Sequence, residues 1–74
     1  MARLIRMDTT GHSTLAEWTA GDAHAEAAAV AEFRAQLDAG YYAVVTEGEG
    51  RARQVAELPL DADLVILRRP IAGG

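Results

Sequence analysis

Apolar residues change their spacing along the chain in a way that predicts five strands and one helix. Runs rich in apolar and β-branched residues are typical of strands, and they cover residues 2–7, 13–19, 41–46, 51–58 and 64–67. Between the second and third runs, residues 23–39 are alanine-rich and repeat apolar positions every three or four residues, which predicts a helix. The predicted fold class is α+β, in the order ββαβββ.

The first two runs predict an N-terminal hairpin. The segment from Asp8 to His12 has turn-forming residues, and Gly11 can take a positive φ. Alternation in the first run is imperfect, because Arg3, Ile5 and Met7 share one side. We expect Ile5 and Met7 to face inward.

The sequence of the second strand is compatible with two registers, which differ in whether Trp18 is buried. One register buries Leu15, and the other buries Ala16 and Trp18. We expect Trp18, Tyr41 and Tyr42 to lie in the core or at its margin. An exposed aromatic residue beside the sheet would instead be an anchor for a partner protein.

The helix is bounded by sequence signals at both ends. Asp22 is suited to cap its N-terminus, and Glu26 lies near the same positive end. Gly40 follows at the position where a left-handed residue commonly ends a helix. The apolar stripe predicted to face the sheet contains Ala23, Ala27, Val30, Phe33 and Leu37.

The second half of the chain predicts three strands separated by turns. Residues 47–50 are acidic and glycine-rich and predict a loop. Residues 51–58 alternate polar and apolar positions, which favours a solvent-facing or edge strand that Pro59 ends. The continuous apolar run 64–67 is typical of a central strand covered on both faces, and we expect it beside the first strand. The helix is expected to lie across one face of this single sheet.

Size and charge narrow the classes of function. At 74 residues the chain predicts one domain, which buries roughly 60% of its unfolded surface and leaves little room for a catalytic pocket. A net charge of −4 argues against general nucleic-acid binding and against a cationic membrane-surface role. The absence of cysteine excludes disulfides and thiolate chemistry. No signal peptide is evident at the first residues, so a cytoplasmic location is expected.

Polar clusters give no convincing catalytic or metal site. His12 and His24 are expected to be solvated. Asp61 and Asp63 fall far short of the six to eight oxygens that Ca²⁺ requires, and turn formation explains them better. No nucleophile, base and pocket occur together, so we expect a protein that is not an enzyme and binds no cofactor of its own.

All seven basic residues are arginine, and the chain has no lysine. A genome with GC-rich codons explains this, since Ala, Gly and Arg are all abundant. A protein with an activated carboxyl end would also benefit from having no amine side chains to attack it. Both explanations can hold together.

The residues from Leu64 to Gly74 are the most informative segment. An apolar strand leads into two arginines, a proline and a terminal Gly-Gly. We predict a folded domain at residues 1–69 and a flexible tail at residues 70–74. Glycine has no Cβ, so such a tail can enter a narrow slot in another protein. The predicted chemistry is therefore at the carboxylate of Gly74, and the domain presents it.

Two stretches resemble the ubiquitin-like β-grasp superfamily. Residues 9–18 are similar to the first hairpin of ubiquitin. Residues 61–74, with an acidic turn, an apolar strand, a proline and Gly-Gly, resemble the end of sulfur carriers of the ThiS and MoaD type. The element order and the length also fit this superfamily, which includes prokaryotic ubiquitin-like modifiers.

The resemblance implies a mechanism and a set of partners. An E1-like adenylating enzyme of the ThiF or MoeB type would use ATP and magnesium to activate the carboxylate at Gly73–Gly74. The product would be a thiocarboxylate that delivers sulfur, or a conjugate with a target protein. A JAB-type metalloprotease or a sulfur-accepting enzyme are further possible partners. The residues expected to be recognised by the activating enzyme are Arg68, Arg69, Pro70 and Ile71.

A second hypothesis gives the same fold a different use. The protein would be a non-catalytic binding or adaptor module that acts through the face of its sheet, with an inert tail. Its activity would then be sensitive to changes at Arg51, Arg53 or an exposed tyrosine, and would tolerate loss of the tail.

Overall fold

The computed structural model describes residues 1–8, 11–46 and 50–69. Within them, five strands and one helix follow the predicted order, and the α+β class is confirmed. The elements are β1 (Ala2–Asp8), β2 (Gly11–Trp18), α1 (Ala23–Asp38), β3 (Tyr42–Thr46), β4 (Ala52–Val55) and β5 (Leu64–Arg68).

The strands form one mixed sheet in the order β2-β1-β5-β3-β4. The central pair, β1 and β5, is parallel, and the other pairs are antiparallel. The last strand therefore lies beside the first, as predicted. A single helix packed on one such sheet is compatible with a β-grasp. We call the face under α1 the helix-side face and the opposite one the open face.

The core lies between α1 and the middle of the sheet. Strands alternate their side chains between faces, and the helix-side positions of the central strands are almost completely buried. Phe33 of α1 is 1% exposed and packs into this layer. The buried cluster contains Ala2, Leu4, Trp18, Ala29, Phe33, Ala43, Val45, Val65 and Leu67.

The first hairpin corrects the predicted orientation of β1. Leu4 is fully buried on the helix side, whereas Ile5 and Met7 point to the open face. The predicted inward orientation of Ile5 and Met7 was therefore wrong, although Ile5 is only 9% exposed. Apolar residues occupy both even-numbered and odd-numbered positions of this strand, so the alternation of apolar and polar residues could not identify the buried face.

The pairing of β2 combines the two predicted registers. Leu4 pairs with Ala16 and Ile5 with Thr14, so the register shifts by one residue and Leu15 falls between the pairs. Such a shift lets neighbouring side chains reach the same face. Leu15 and Ala16 both pack against the core, and Trp18 is buried beyond them.

The ends of α1 confirm the predicted caps. The carboxylate of Asp22 accepts a hydrogen bond from the backbone N–H of Ala25 at 3.2 Å. Glu26 reaches back and accepts from the N–H of Gly21 at 3.1 Å. At the other end, Gly40 has φ +102° and its N–H donates to the carbonyl of Leu37 at 3.0 Å. Both ends therefore satisfy helix N–H or C=O groups that would otherwise lack a partner.

The buried side of α1 differs from the predicted stripe. Phe33 and Leu37 face the core as expected, but Ala23 and Ala27 are exposed, and Ala29 is fully buried. Alanine occurs on every side of the first two turns, so its spacing could not identify the buried face. Phe33 fixes the face, and Ala29 lies one turn before it.

Two predictions for the last strands also need correction. β4 ends at Val55 rather than at residue 58, since the chain bends at Ala56 and Glu57 before Pro59. β5 is central, as predicted, but in the described part of the chain only its helix side is covered. Leu64 on the open face is 37% exposed.

Candidate functional site at the end of β5 and the open face

The end of β5 is held firmly on both sides. Val65 and Leu67 are 0% exposed in the core, and Leu67 pairs with Arg6 of β1 and with Ala43 of β3. Arg68, the last residue of the strand, pairs with Tyr42. The chain therefore leaves the sheet from its middle, beside the start of β3.

The two arginines predicted for partner recognition lie at this exit. Arg68 and Arg69 are both exposed, and Arg68 shares the open face with half-buried Tyr42. The remaining predicted residues of the site, Pro70, Ile71, Gly73 and Gly74, lie outside the described residues, as does the predicted tail 70–74. The exit is thus basic, although the chain as a whole has a net charge of −4.

Arg6 is a third cation at the same end of the sheet, and the sequence reasoning missed it. It lies on the helix-side face, where its Nη1 donates to Oε1 of Gln36 at 3.3 Å. Its guanidinium carbon is 5.4 Å from the centre of the Tyr41 ring, within the range of a cation–π contact. Gln36 Nε2 in turn donates to Glu32 at 3.3 Å.

This chain of contacts stabilises the last turns of α1. A cation near a helix C-terminus interacts favourably with the partial negative charge there. The Nε of Arg6 is buried and has no hydrogen-bond partner among the described residues. The sequence did contain a signal for Arg6, because Arg6 lies two residues after Leu4 and therefore on the same face of β1. The orientation predicted for β1 was wrong and turned that face away from the helix.

An apolar row crosses the middle of the open face. Ile5 pairs with Ile66, and Ile66 pairs with Val44. Ile66 and Val44 are half-buried, and the row ends in polar residues at both sheet edges, Thr14 and Gln54. No element covers this row in the described parts of the chain.

Other candidate residues do not come together. His12 and His24 are exposed on different elements. Within residues 1–8, 11–46 and 50–69, no group of three or more His, Asp or Glu residues could hold a metal ion. Trp18 is 1% exposed, and its Nε1 donates to the carbonyl of Leu60 at 3.1 Å, so it is a core residue and not a docking anchor.

Comparisons with protein-family models, with curated proteins and with solved structures found no match. In the described segments, no helix is long and apolar enough to cross a membrane.

Proposed function

We propose that this protein is a small carrier or modifier of the ubiquitin-like β-grasp type, whose Gly74 carboxylate is activated by a separate adenylating enzyme. The observation that carries the proposal is the position of β5. The strand that leads into the Gly-Gly tail is the central one of the sheet, and its helix-side residues are fully buried. A tail attached there is anchored to the core of the domain.

The proposed chemistry takes place in two steps on the partner enzyme. A carboxylate oxygen of Gly74 attacks the α-phosphorus of ATP, and magnesium pyrophosphate leaves. A sulfur nucleophile then attacks the acyl carbon of the adenylate, and AMP leaves. The first step is needed because a carboxylate is a poor electrophile until its oxygen becomes part of a good leaving group. The product is a thiocarboxylate, or a thioester that is passed to an amine of a target.

The tail has the length and composition that such a reaction requires. Six residues, from Arg69 to Gly74, span about 20 Å when extended, enough to reach a nucleotide inside the enzyme while the domain stays outside. Glycines at its end have no Cβ and allow close approach of the backbone. Pro70 restricts the chain to an extended course.

Charge supports the direction of approach. Arg68 and Arg69 are exposed at the exit of the tail, and they would pair with acidic residues at the mouth of the enzyme slot. The chain has no lysine, so no side-chain amine of the carrier competes for its own activated carboxylate.

The test is an activation assay with ATP, magnesium and a ThiF-type enzyme encoded near the gene. Intact-mass spectrometry should show an adenylylated protein, and fragmentation should place the group on Gly74. Removal of Gly73–Gly74 should abolish the adduct, whereas His24→Ala, an exposed substitution at the start of α1, should leave it unchanged. Equal labelling of the truncated protein, or no labelling by any neighbouring enzyme of this class, would contradict the proposal.

The same assay separates a carrier from a modifier. With a sulfur donor present, a carrier gains mass corresponding to replacement of one carboxylate oxygen by sulfur. A modifier instead appears in heavier covalent adducts with other proteins, which a JAB-type metalloprotease would cleave. The tail resembles the sulfur carriers more closely and the first hairpin resembles ubiquitin.

A second function, an adaptor that binds through the open face, is favoured by the apolar row of Ile5, Ile66 and Val44. Such a module would lose its partner on Val44→Asp and keep it after removal of residues 70–74. A carrier would instead lose its activation by the adenylating enzyme when residues 70–74 are removed. Thermal unfolding of Val44→Asp must be measured first, so that loss of binding is not confused with loss of the fold.

A further inference from the structure

The outer side of β4 is an open edge of the sheet. β4 pairs with β3 on one side, and it is the last strand in the sheet order. About half of the backbone N–H and C=O groups of an edge strand point away from the sheet and can pair with another extended chain. In the described parts of the protein, neither a strand nor the helix lies along this edge.

The helix leaves a groove beside this edge, because α1 packs mainly over β2 and much less over β3. Two hollows of about 430 and 330 Å³ lie along the same flank of the helix and meet at Ala56. Their apolar walls come from Val30, Phe33 and Leu58 in the first, and from Leu37, Tyr41 and Val55 in the second.

The faces of β4 determine what an added strand would meet. Val55 pairs with Ala43, and Arg53 pairs with Val45, so both β4 residues are on the helix side. Arg51 directly precedes the strand, two residues before Arg53. A strand laid along this edge would therefore place successive helix-side residues next to Val55 and Arg53, and its continuation would pass Arg51.

Among the described residues, the charge at this edge is mostly positive. Arg51 and Arg53 are exposed on the strand side, and exposed Arg34 lines the groove from the helix side. Glu57 is the acidic residue among those lining the groove. Arg53 also interacts within the chain, and its guanidinium has five N–H donors, so it can keep that interaction and still contact an acid on an added strand.

We propose that the β4 edge binds an extended acidic segment of a partner protein by strand addition. In antiparallel pairing, the segment has an apolar residue opposite Val55, followed by acidic residues at the second and fourth positions after it. Parallel pairing reverses this order. The apolar side chain enters the groove, the acids lie beside Arg53 and Arg51, and the backbone extends the sheet. This interaction is independent of the activation of Gly74.

Charge disfavours two other occupants of the edge. A second copy of the chain that paired through its own β4 with the two Arg53 residues opposite each other would bring like charges together, which is destabilising on adjacent strands. The Pro-Ile-Ala-Gly-Gly tail has no acidic side chain, so its one negative charge is the carboxylate of Gly74, and its proline lacks a backbone donor.

The test uses the full chain and short blocked peptides. The probes are Thr-Ile-Thr-Glu-Thr-Glu-Thr and the same sequence reversed, with matched peptides in which arginine replaces glutamate. Two-dimensional amide NMR should show saturable shifts confined to β4 and the facing flank of α1 for at least one of the acidic peptides. The double variant Arg51→Glu/Arg53→Glu should bind that peptide at least about tenfold more weakly, since two attractive pairs become repulsive.

Charge reversal and a matched control make the result specific. The double variant should gain affinity for the arginine peptide, whereas Arg68→Glu/Arg69→Glu, with an equal change in net charge, should bind the acidic peptide nearly as well as the original protein. Circular dichroism establishes that both variants are folded. Shifts confined to β2 or to the open face, affinity unaffected by Arg51→Glu/Arg53→Glu, or concentration-dependent dimers formed through β4 would each overturn the proposal.

Discussion

Single residues determine which parts of this small chain become core. Trp18 is the largest of the almost completely buried side chains, and its hydrogen bond to Leu60 ties the end of β2 to the turn before β5. Ala29 allows the helix to approach the sheet, because a larger residue at a fully buried position would force the two apart.

The hydrogen bond of Trp18 can be tested by Trp18→Phe. The substitution removes the donor to the Leu60 carbonyl and leaves space beside the ring, so the free energy of unfolding should fall by about 1–3 kcal/mol. Urea denaturation followed by circular dichroism measures it. Unchanged stability would mean that the contact with the 59–63 turn contributes nothing.

A matched pair of alanines tests the buried face of α1. Ala29→Asp would place a carboxylate at a position that is 0% exposed and should cost several kcal/mol or prevent folding. Ala27→Asp introduces the same group at an exposed position and should change stability by no more than about 1 kcal/mol. Comparing the melting temperatures of the two variants identifies the buried face of α1. An equal loss of stability in both variants would contradict the observed packing.

At the scale of elements, α1 depends on its caps. Asp22 satisfies an N–H of the first turn, whereas Asp38 places a negative charge in the last turn, where the helix terminus is itself partially negative. The Arg6–Gln36 contact adds a cation near that end.

The two aspartates provide a prediction with an internal control. Asp22→Ala should lower the free energy of unfolding by about 1 kcal/mol, because an orphan N–H loses its acceptor. Asp38→Ala should be neutral or slightly stabilising, since it removes an unfavourable charge. Thermal denaturation at low salt measures both changes, and a larger loss for Asp38→Ala than for Asp22→Ala would contradict the assignment.

The ends and the type of an element were predictable from the sequence where a residue type strongly prefers one position in a helix or a sheet. Asp22 and Gly40 marked the helix ends, and the run from Leu64 to Leu67 marked the central strand. The orientation of β1 was not predictable, because Leu4 and Ile5 are adjacent and both apolar. The shift at Leu15 depends on pairing between strands, which a single strand's pattern does not contain.

At the scale of the whole molecule, the sequence and the structure each identify only part of the candidate site. The sequence drew attention to Gly73 and Gly74, which lie outside the described residues, so their role stays a prediction. The structure added Arg6 and the row of Ile5, Ile66 and Val44, since both depend on strands that are distant in sequence. Likewise, only the order of the strands shows that Arg51 and Arg53 lie at an open edge of the sheet.

Removal of residues 70–74 tests the division between domain and tail. The core residues in the described part of the chain all precede residue 70. Terminal residues commonly contribute little to stability, so the melting temperature should stay within a few degrees of that of the full chain. Activation by the adenylating enzyme should disappear. A large loss of stability would show that the tail is part of the folded domain.

The position of β5 also governs how the protein can be made. The β1–β2 hairpin and the β3–β4 hairpin occupy separate halves of the sheet and are joined only when β5 inserts between them. During translation, β5 is the last of the five strands to leave the ribosome. A chain that ends before residue 64 therefore lacks the strand that joins the two hairpins, and it cannot assemble this five-stranded sheet.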